Sequence, residues 1–409
     1  MAFEELLIDA DGHILEPPDI FEKYLEPRFR ARATRIRTDD NGFEFFEVDG
    51  KKSELTSSSL LHELGGMKKL REMGYAEIAA FNEGRRKRLW EKAQEKHSVF
   101  DSLGSGRRED TYLSGCAPGA MDLKERLDLM EAEGMAKSVI YPTLGLLWEA
   151  EMFDPALAAA HCQAYNRWIV DFCSDSGGRL VPIAHLSLGD PVAAARELER
   201  AVKAGCKGAF IAPFTITRKP HGHPDHDVFF AAAQDLDVPV GIHPELEPPA
   251  FSVHHRFDGM GWADWYFDLF AAQGVGHAFA TLFQYGVFDR FPQLRVVVLE
   301  SGAGWIGYWL DRGDAIYRHT RLGGTVQLKE PPSFYFKRQC YISADPDERS
   351  IAAMTRLVGE DRFFWASDYP HPDHPGDYLE ELRGMVDGMT ATARRGVLGE
   401  NVARCYKLM

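Results

Sequence analysis

The 409 residues are 45% hydrophobic and 12% aromatic, enough to bury a large core, which excludes disordered and collagen-like chains. Against 47 Lys and Arg stand 62 Asp and Glu, and the formal net charge of -15 argues against nucleic acid or an anionic membrane as a partner. Met1 to Leu7 carries no basic leader, no run approaches the roughly 20 apolar residues of a membrane span, and the six scattered cysteines, with no C-x-x-C pair, fit reduced thiols in the cytoplasm rather than a zinc–cysteine site.

In chain order, short β-branched runs alternate with amphipathic stretches, as in βαβ units of a parallel sheet. The runs are LLIDAD (6–11), AKSVIYP (136–142), RLVPIAHL (179–186), KGAFIAP (207–213), VPVGIHP (238–244), LRVVVLESG (294–302), QCYISAD (339–345) and FFWASDYP (363–370). Their nearly continuous apolar character predicts an α/β fold whose sheet is covered on both faces, in a barrel or a doubly wound arrangement. Between them MDLKERLDLMEAEG, DPALAAAHCQAYNRWIVDFCSDSGG, DPVAAARELERAVKAG and HDVFFAAAQDLD repeat with a helical period, and several end in Gly, a usual helix stop.

The rhythm breaks once, between the first two strands. There residues 20 to about 120 are charged and partly helical (EIAAFNEGRRKRLWEKAQEKH), and read as a helical cap or oligomerisation segment inserted into one domain spanning 1–409. A second irregular stretch, about Pro244 to Asp264, is rich in aromatics, Pro and His and reads as a loop over the mouth, where substrate pockets form.

The His and carboxylate residues fall at the carboxyl ends of the strands. Asp9, Asp11 and His13 follow the first, His243 the fifth, Glu300 the sixth, and Asp368 and His371 the eighth. In a barrel those ends converge on one mouth, so residues distant in sequence meet around one ion. Asp11 and His13, two apart on extended chain, point the same way and can grip one cation together. Imidazole with carboxylate suits zinc, manganese or iron and leaves a position for water or substrate.

IDADGHILEP, VPVGIHPEL, GVFDRFPQLRVVVLESGAGW and FFWASDYPHPD together resemble the amidohydrolase superfamily, in the branch of aminocarboxymuconate semialdehyde decarboxylase, resorcylate-type decarboxylases and related hydrolases. The resemblance implies a distorted (β/α)8 TIM barrel with a large insertion after strand 1. It carries the metal ligands over to Asp11, His13, His243 and Asp368, with Glu300, Asp368 and His371 as catalytic candidates. Many relatives place His where this chain has Asp11 and Glu300, so the present site is richer in carboxylate, favours harder cations, and needs an acid shifted upward to donate a proton.

The implied activity is hydrolysis or non-oxidative decarboxylation of a small carboxylated or aromatic molecule. Two alternatives stay open. One is a dinuclear iron or manganese oxygenase, with Glu300 bridging and His277 or His371 completing a second ion or touching substrate; the other is a metal-free barrel subunit of a complex. A homodimer or hetero-oligomer is expected. HGHPDH (221–226) reads as a loop and cap, the adjacent His254 and His255 as pocket lining, His374 as a loop former, and SGAGW as a tight turn placing Trp305 near the mouth.

Overall fold

The computed structural model describes residues 3–66, 80, 83, 84, 87, 108–250, 252, 264–319, 322–371 and 378–409. All eight apolar runs form strand. They are β1 (Ile8–Ile14), β5 (Lys137–Pro142), β6 (Leu180–Pro182) continued by β7 (Ala184–His185), β8 (Ala209–Ile211), β9 (Val240–Ile242), β10 (Val296–Val298), β11 (Cys340–Ala344) and β12 (Phe363–Trp365). Every pairing among them is parallel and joins sequence neighbours, in the orders β1-β5-β6 and β7-β8-β9-β10-β11-β12. Ile183, whose N–H donates to Ile140 O at 3.2 Å, separates β6 from β7 within one strand run. Beyond β12 the chain returns to β1, where Asp368 N–H donates to Asp11 O at 2.9 Å and His13 N–H to Tyr369 O at 2.7 Å.

Alternation along the strands sends one set of side chains inward. Ile8, Ala10, Val139, Tyr141, Val181, Ile183, Phe210, Val297, Leu299, Tyr341 and Phe364 form one apolar cluster beneath the strand ends, and a larger cluster lies between sheet and helices. The helices start where Asp-Pro dictates. Asp154 caps Pro155–Ser174 through Ala156 and Leu157 N–H, and Asp190 caps Pro191–Ala204 through Val192 and Ala193 N–H, with Pro preset for the first turn. Leu123–Glu133 starts on Asp122 and stops at the left-handed Gly134. By contrast, Asp264–Gln284 is apolar over much of its length, so no periodic stripe marks it in the sequence.

The expected helical insertion is corrected over its first half. β2 (Arg35–Thr38), β3 (Glu44–Val48) and β4 (Lys51–Lys52) form an antiparallel sheet, turned between β3 and β4 by Asp49-Gly50 with φ of 50° and 73°. Asp-Gly between alternating residues is a hairpin signal, which a reading of the segment as a helical insertion passes over. This segment is stitched to the main body: Arg32 pairs with Asp49 and with Asp154 at 2.7 Å, Thr34 N–H donates to His161 Nε2 at 3.1 Å, and Ser53 Oγ donates to Glu151 at 2.5 Å. The helical run at 77–97, apart from isolated residues, lies outside the described residues, as do His254, His255, His374 and most of the 251–263 loop.

Candidate metal centre

Close approach at the end of β1 explains why Gly12 separates Asp11 from His13: a Cβ there would sit 2.5 Å from Ser138 Oγ and 2.6 Å from Asp9 Oδ2. Asp9 is itself satisfied, accepting from Ser138 Oγ at 2.8 Å, Ser367 N–H at 2.9 Å, Ser367 Oγ at 2.8 Å and Asp11 N–H at 3.2 Å. It ties β1 to β5 and to the end of β12, which leaves Asp11 and His13 turned into the site.

There the structure brings together Asp11, His13, His243, Glu300, Asp368 and His371 from four strand ends. Asp11, His13, His243 and Glu300 form one donor group, and His13, Glu300, Asp368 and His371 another, each with its ligand atoms within 4.8 Å of one another. His13 Nε2 lies 3.5 Å from Asp11 Oδ1, 3.2 Å from Asp368 Oδ1 and 3.7 Å from Glu300 Oε2, while His243 Nε2 lies 3.5 Å from Asp11 Oδ2 and 2.9 Å from Glu300 Oε2. Asp368 Oδ1 also meets His371 Nδ1 at 3.1 Å, and His371 Nε2 reaches Thr143 Oγ1 at 3.1 Å. Apart from Glu300, whose side chain is 25% exposed, the group is buried.

The imidazole tautomers follow from their neighbours. His13 Nδ1 faces Pro142 O at 2.8 Å and His243 Nδ1 faces Pro244 O at 2.6 Å; a carbonyl only accepts, so both protons sit on Nδ1. Burial, with a further push from His371 on His13 and from His13 on His243, holds His13 down to about 4 and His243 well below the usual histidine range. Two neutral rings therefore aim Nε2 lone pairs at each other across 3.3 Å, an arrangement that a shared cation resolves.

The carboxylates agree. Among the described residues both Asp11 oxygens and Asp368 Oδ2 are buried without a hydrogen-bond partner, which is costly unless a positive charge serves them. Burial, with Asp368, Asp9 and Asp345 adding repulsion, pushes Asp11 well up, a penalty that a cation reverses. Burial opposes ionisation of Asp368 as well, but His371 and His13 hold its carboxyl well below the usual range. The donor set thus fits a divalent cation on chemistry and on orphaned atoms alike.

Glu300 and Asp368 both occupy the left-handed backbone region, with φ of 37° and 53°, where a side-chain-bearing residue is strained and the surroundings must hold it. For Glu300 the hold comes from Ser343 Oγ, which accepts its N–H at 3.1 Å, and from Glu348. Glu348 clamps the turn after β10, accepting from Ala303 N–H at 2.8 Å, Gly304 N–H at 2.9 Å and Asp345 N–H at 3.0 Å. Burial, with repulsion from Asp345, pushes Glu348 up to about 7, so these bonds contribute about 0.5–1.5 kcal/mol each when it is neutral and more when it is ionised, and Glu348→Ala is expected to lower both the thermal midpoint and turnover. Glu348→Gln, keeping one acceptor, is expected to fall between. Unfolding curves read beside kcat check this; wild-type values for Glu348→Ala in both would remove Glu348 as a positioning residue.

Three anchoring side chains, two buried and one half-buried, escaped the sequence reading. Arg126 donates to the carbonyls of Gly119, at 2.8 Å, and His13, and stacks over Tyr369 at 4.6 Å, fixing the exits of β1 and β12; Glu16 accepts from the N–H groups of Thr143, Leu144 and Gly145. Glu348 is the third. Glu16 lies in the IDADGHILEP motif and Arg126 in a helical stretch already read, but nothing in those patterns marks either as an anchor; only their hydrogen-bond partners do.

Other candidates lie apart from the cluster. His277 is exposed on the helix Asp264–Gln284 and belongs to neither donor group, so its reading as a second-ion ligand is corrected. In HGHPDH, His221 Nε2 meets Ala212 O at 2.8 Å, His226 Nδ1 meets His221 O at 3.0 Å, and His223 accepts from Asp225 N–H, so the tract shapes a loop and cap. Trp305 spends its N–H on Ser301 O at 3.1 Å, inside the turn.

Comparison with known proteins gives this geometry a family. The chain is 30% identical over 308 residues to the decarboxylase orsB of Emericella nidulans, covering 70% of this chain and 87% of that one. An amidohydrolase of Mycobacterium avium subsp. paratuberculosis superposes with a TM-score of 0.75 at 19% identity, covering 99% of this chain and 100% of that chain. A 5-carboxyvanillate decarboxylase of Novosphingobium aromaticivorans, with bound manganese and 3-methoxy-4-hydroxy-5-nitrobenzoic acid, superposes with a TM-score of 0.64 at 19% identity over 99% and 97% of the two chains. The two structural likenesses are likenesses of fold, and the oxygenase alternative finds no support among these relatives. The amidohydrolase family profile matches residues 121–408, more than half of the sequence, and the chain belongs to the amidohydrolase family.

Proposed function

We propose that the chain is a metal-dependent decarboxylase of hydroxylated aromatic carboxylates, with its site at the mouth of a closed (β/α)8 barrel. The observation that carries this reading is the convergence of Asp11, His13, His243, Glu300 and Asp368 in a chain whose relatives include decarboxylases. Barrel closure is supported by the parallel strands in sequence order and by the return of Asp368 and Tyr369 onto β1. The Arg32–Asp154 ion pair and the Thr34–His161 hydrogen bond, which tie the antiparallel segment to the helix Pro155–Ser174 and its cap, support one domain, with residues 20–120 as a cap or subunit contact in a homodimer. Six free cysteines, five of them buried, fit a cytoplasmic protein.

Asp11, His13, His243 and Asp368 would hold the ion, and manganese fits a carboxylate-rich set. When bound, it supplies Lewis-acid charge for the substrate carboxylate. Decarboxylation breaks the bond from ring carbon to carboxyl carbon, releases carbon dioxide and requires one proton at the ring carbon. Glu300, the most exposed member of the set and 2.9 Å from His243, is placed to hold and deliver that proton. His371, anchored on Thr143, keeps the Asp368 carboxylate oriented.

Elemental analysis of the purified protein, paired with carbon dioxide release from hydroxybenzoates, tests the reading. One manganese or zinc per chain with equal yields of carbon dioxide and phenol is expected. Two ions including iron, with oxygen uptake, would overturn it in favour of an oxygenase; no metal after supplementation would leave a binding subunit.

A further inference from the structure

The metal centre leaves a second set of buried polar side chains unused. Glu149, His185 and Glu245 are 1%, 0% and 4% exposed. Glu149 Oε1 accepts from Ser187 Oγ at 2.5 Å, but among the described residues Glu149 Oε2, both Glu245 oxygens and both His185 ring nitrogens have no hydrogen-bond partner. The Trp148 N–H and the Tyr165 hydroxyl beside them are also unpartnered. His185 Nε2 and Glu149 Oε2 lie 3.6 Å apart, too far to satisfy each other.

Glu16 provides the contrast. It is as buried, yet its carboxylate takes the N–H groups of Thr143, Leu144 and Gly145, the usual way a fold pays for a structural acid. Among the described residues nothing comparable serves Glu245. These orphaned groups adjoin the metal centre through shared elements. Glu245 follows His243 by two residues, and Leu246 N–H donates to Leu146 O at 3.0 Å, pinning that segment to the turn that carries Glu149. The Phe210 ring lies 4.6 Å from His185 and 5.6 Å from His243, and so floors both sites.

We propose that Glu149, His185 and Glu245 form a hydrogen-bond-accepting subsite for the hydroxyl- or amino-bearing edge of the substrate. The inference rests on the decarboxylase reading, which puts the substrate carboxylate at the metal. A hydroxyl or amino group brings protons to the unserved oxygens of Glu149 and Glu245. A methoxy group brings no proton, and a second carboxylate sets acceptor oxygens against acceptor oxygens, so both are disfavoured.

The test uses the manganese-loaded full chain and a set of hydroxybenzoates whose further ring substituent is hydroxyl, amino, methoxy or carboxyl, read as kcat/KM for carbon dioxide release. Binding of the matching product phenols is measured by calorimetry, independently of turnover. Wild type is expected to prefer hydroxyl and amino over methoxy by at least about tenfold, a small part of what a site built for a donor achieves. Glu245→Gln and Glu149→Gln are expected to remove most of that preference with metal per chain unchanged; His185→Asn is the reserve if either fails to fold. Absence of the preference in wild type, or its persistence in folded variants, would overturn the subsite and leave the cluster to ordered water. Donor-bearing phenols that bind through Glu245 without any benzoate losing carbon dioxide would keep the subsite and reject decarboxylation. Carbon dioxide release with no donor preference would do the reverse.

Discussion

Asp368→Ala is expected to bind metal at least about 10²-fold more weakly than wild type and to lose turnover, because deleting a ligand costs more than the 10–100-fold typical of losing a ligand's outer partner. The carboxylate sits 3.2 Å from His13 Nε2 and 3.1 Å from His371 Nδ1, so its loss removes one donor from the set and leaves His371 Nδ1 without that partner. Ala keeps the Cβ that strains the backbone at φ 53° and tolerates that conformation less well than Asp, so thermal stability of the metal-free protein is expected to fall. His243→Ala is expected to share the metal defect without that backbone penalty. Metal per chain by elemental analysis after dialysis, read beside thermal unfolding with and without chelator, checks both. Full metal content in the two variants would remove Asp368 and His243 as ligands.

Glu300→Gln is expected to lower kcat by about 10²–10⁴-fold, the range for losing a positioned proton donor, with one ion retained. Gln keeps the size and one acceptor oxygen, so the 2.9 Å approach to His243 survives while the exchangeable carboxyl proton does not. Carbon dioxide release in deuterated water, followed by product mass, locates the step: a defect in ring protonation lowers turnover with little change in KM. If one of two ions disappears instead, Glu300 bridges a dinuclear site. The two donor groups share His13 and Glu300, which is why ion counting decides between these outcomes.

Much of this was legible in the chain. The eight apolar runs became strands, since nearly continuous β-branched segments between Asp-capped helices have few other ways to bury both faces. Asp11 and His13 after the first strand, and Asp368 after the eighth, carried enough pattern to be read as site residues. The Asp49-Gly50 hairpin was also legible, and went unread within a segment taken as a helical insertion.

The sequence by itself determined which residues stand at strand ends, because an alternation of two residues and a run of eight strand signals are local properties of the chain. Only the tertiary structure decided which of them meet. His13 and His243 are 230 positions apart yet 3.3 Å from each other, His277 faces outward, and Arg126, Glu348 and Glu245 owe their roles to buried partners or to the lack of one. Composition carries no trace of such roles, since the cost of an unserved carboxylate or lone pair arises only when folding removes its water.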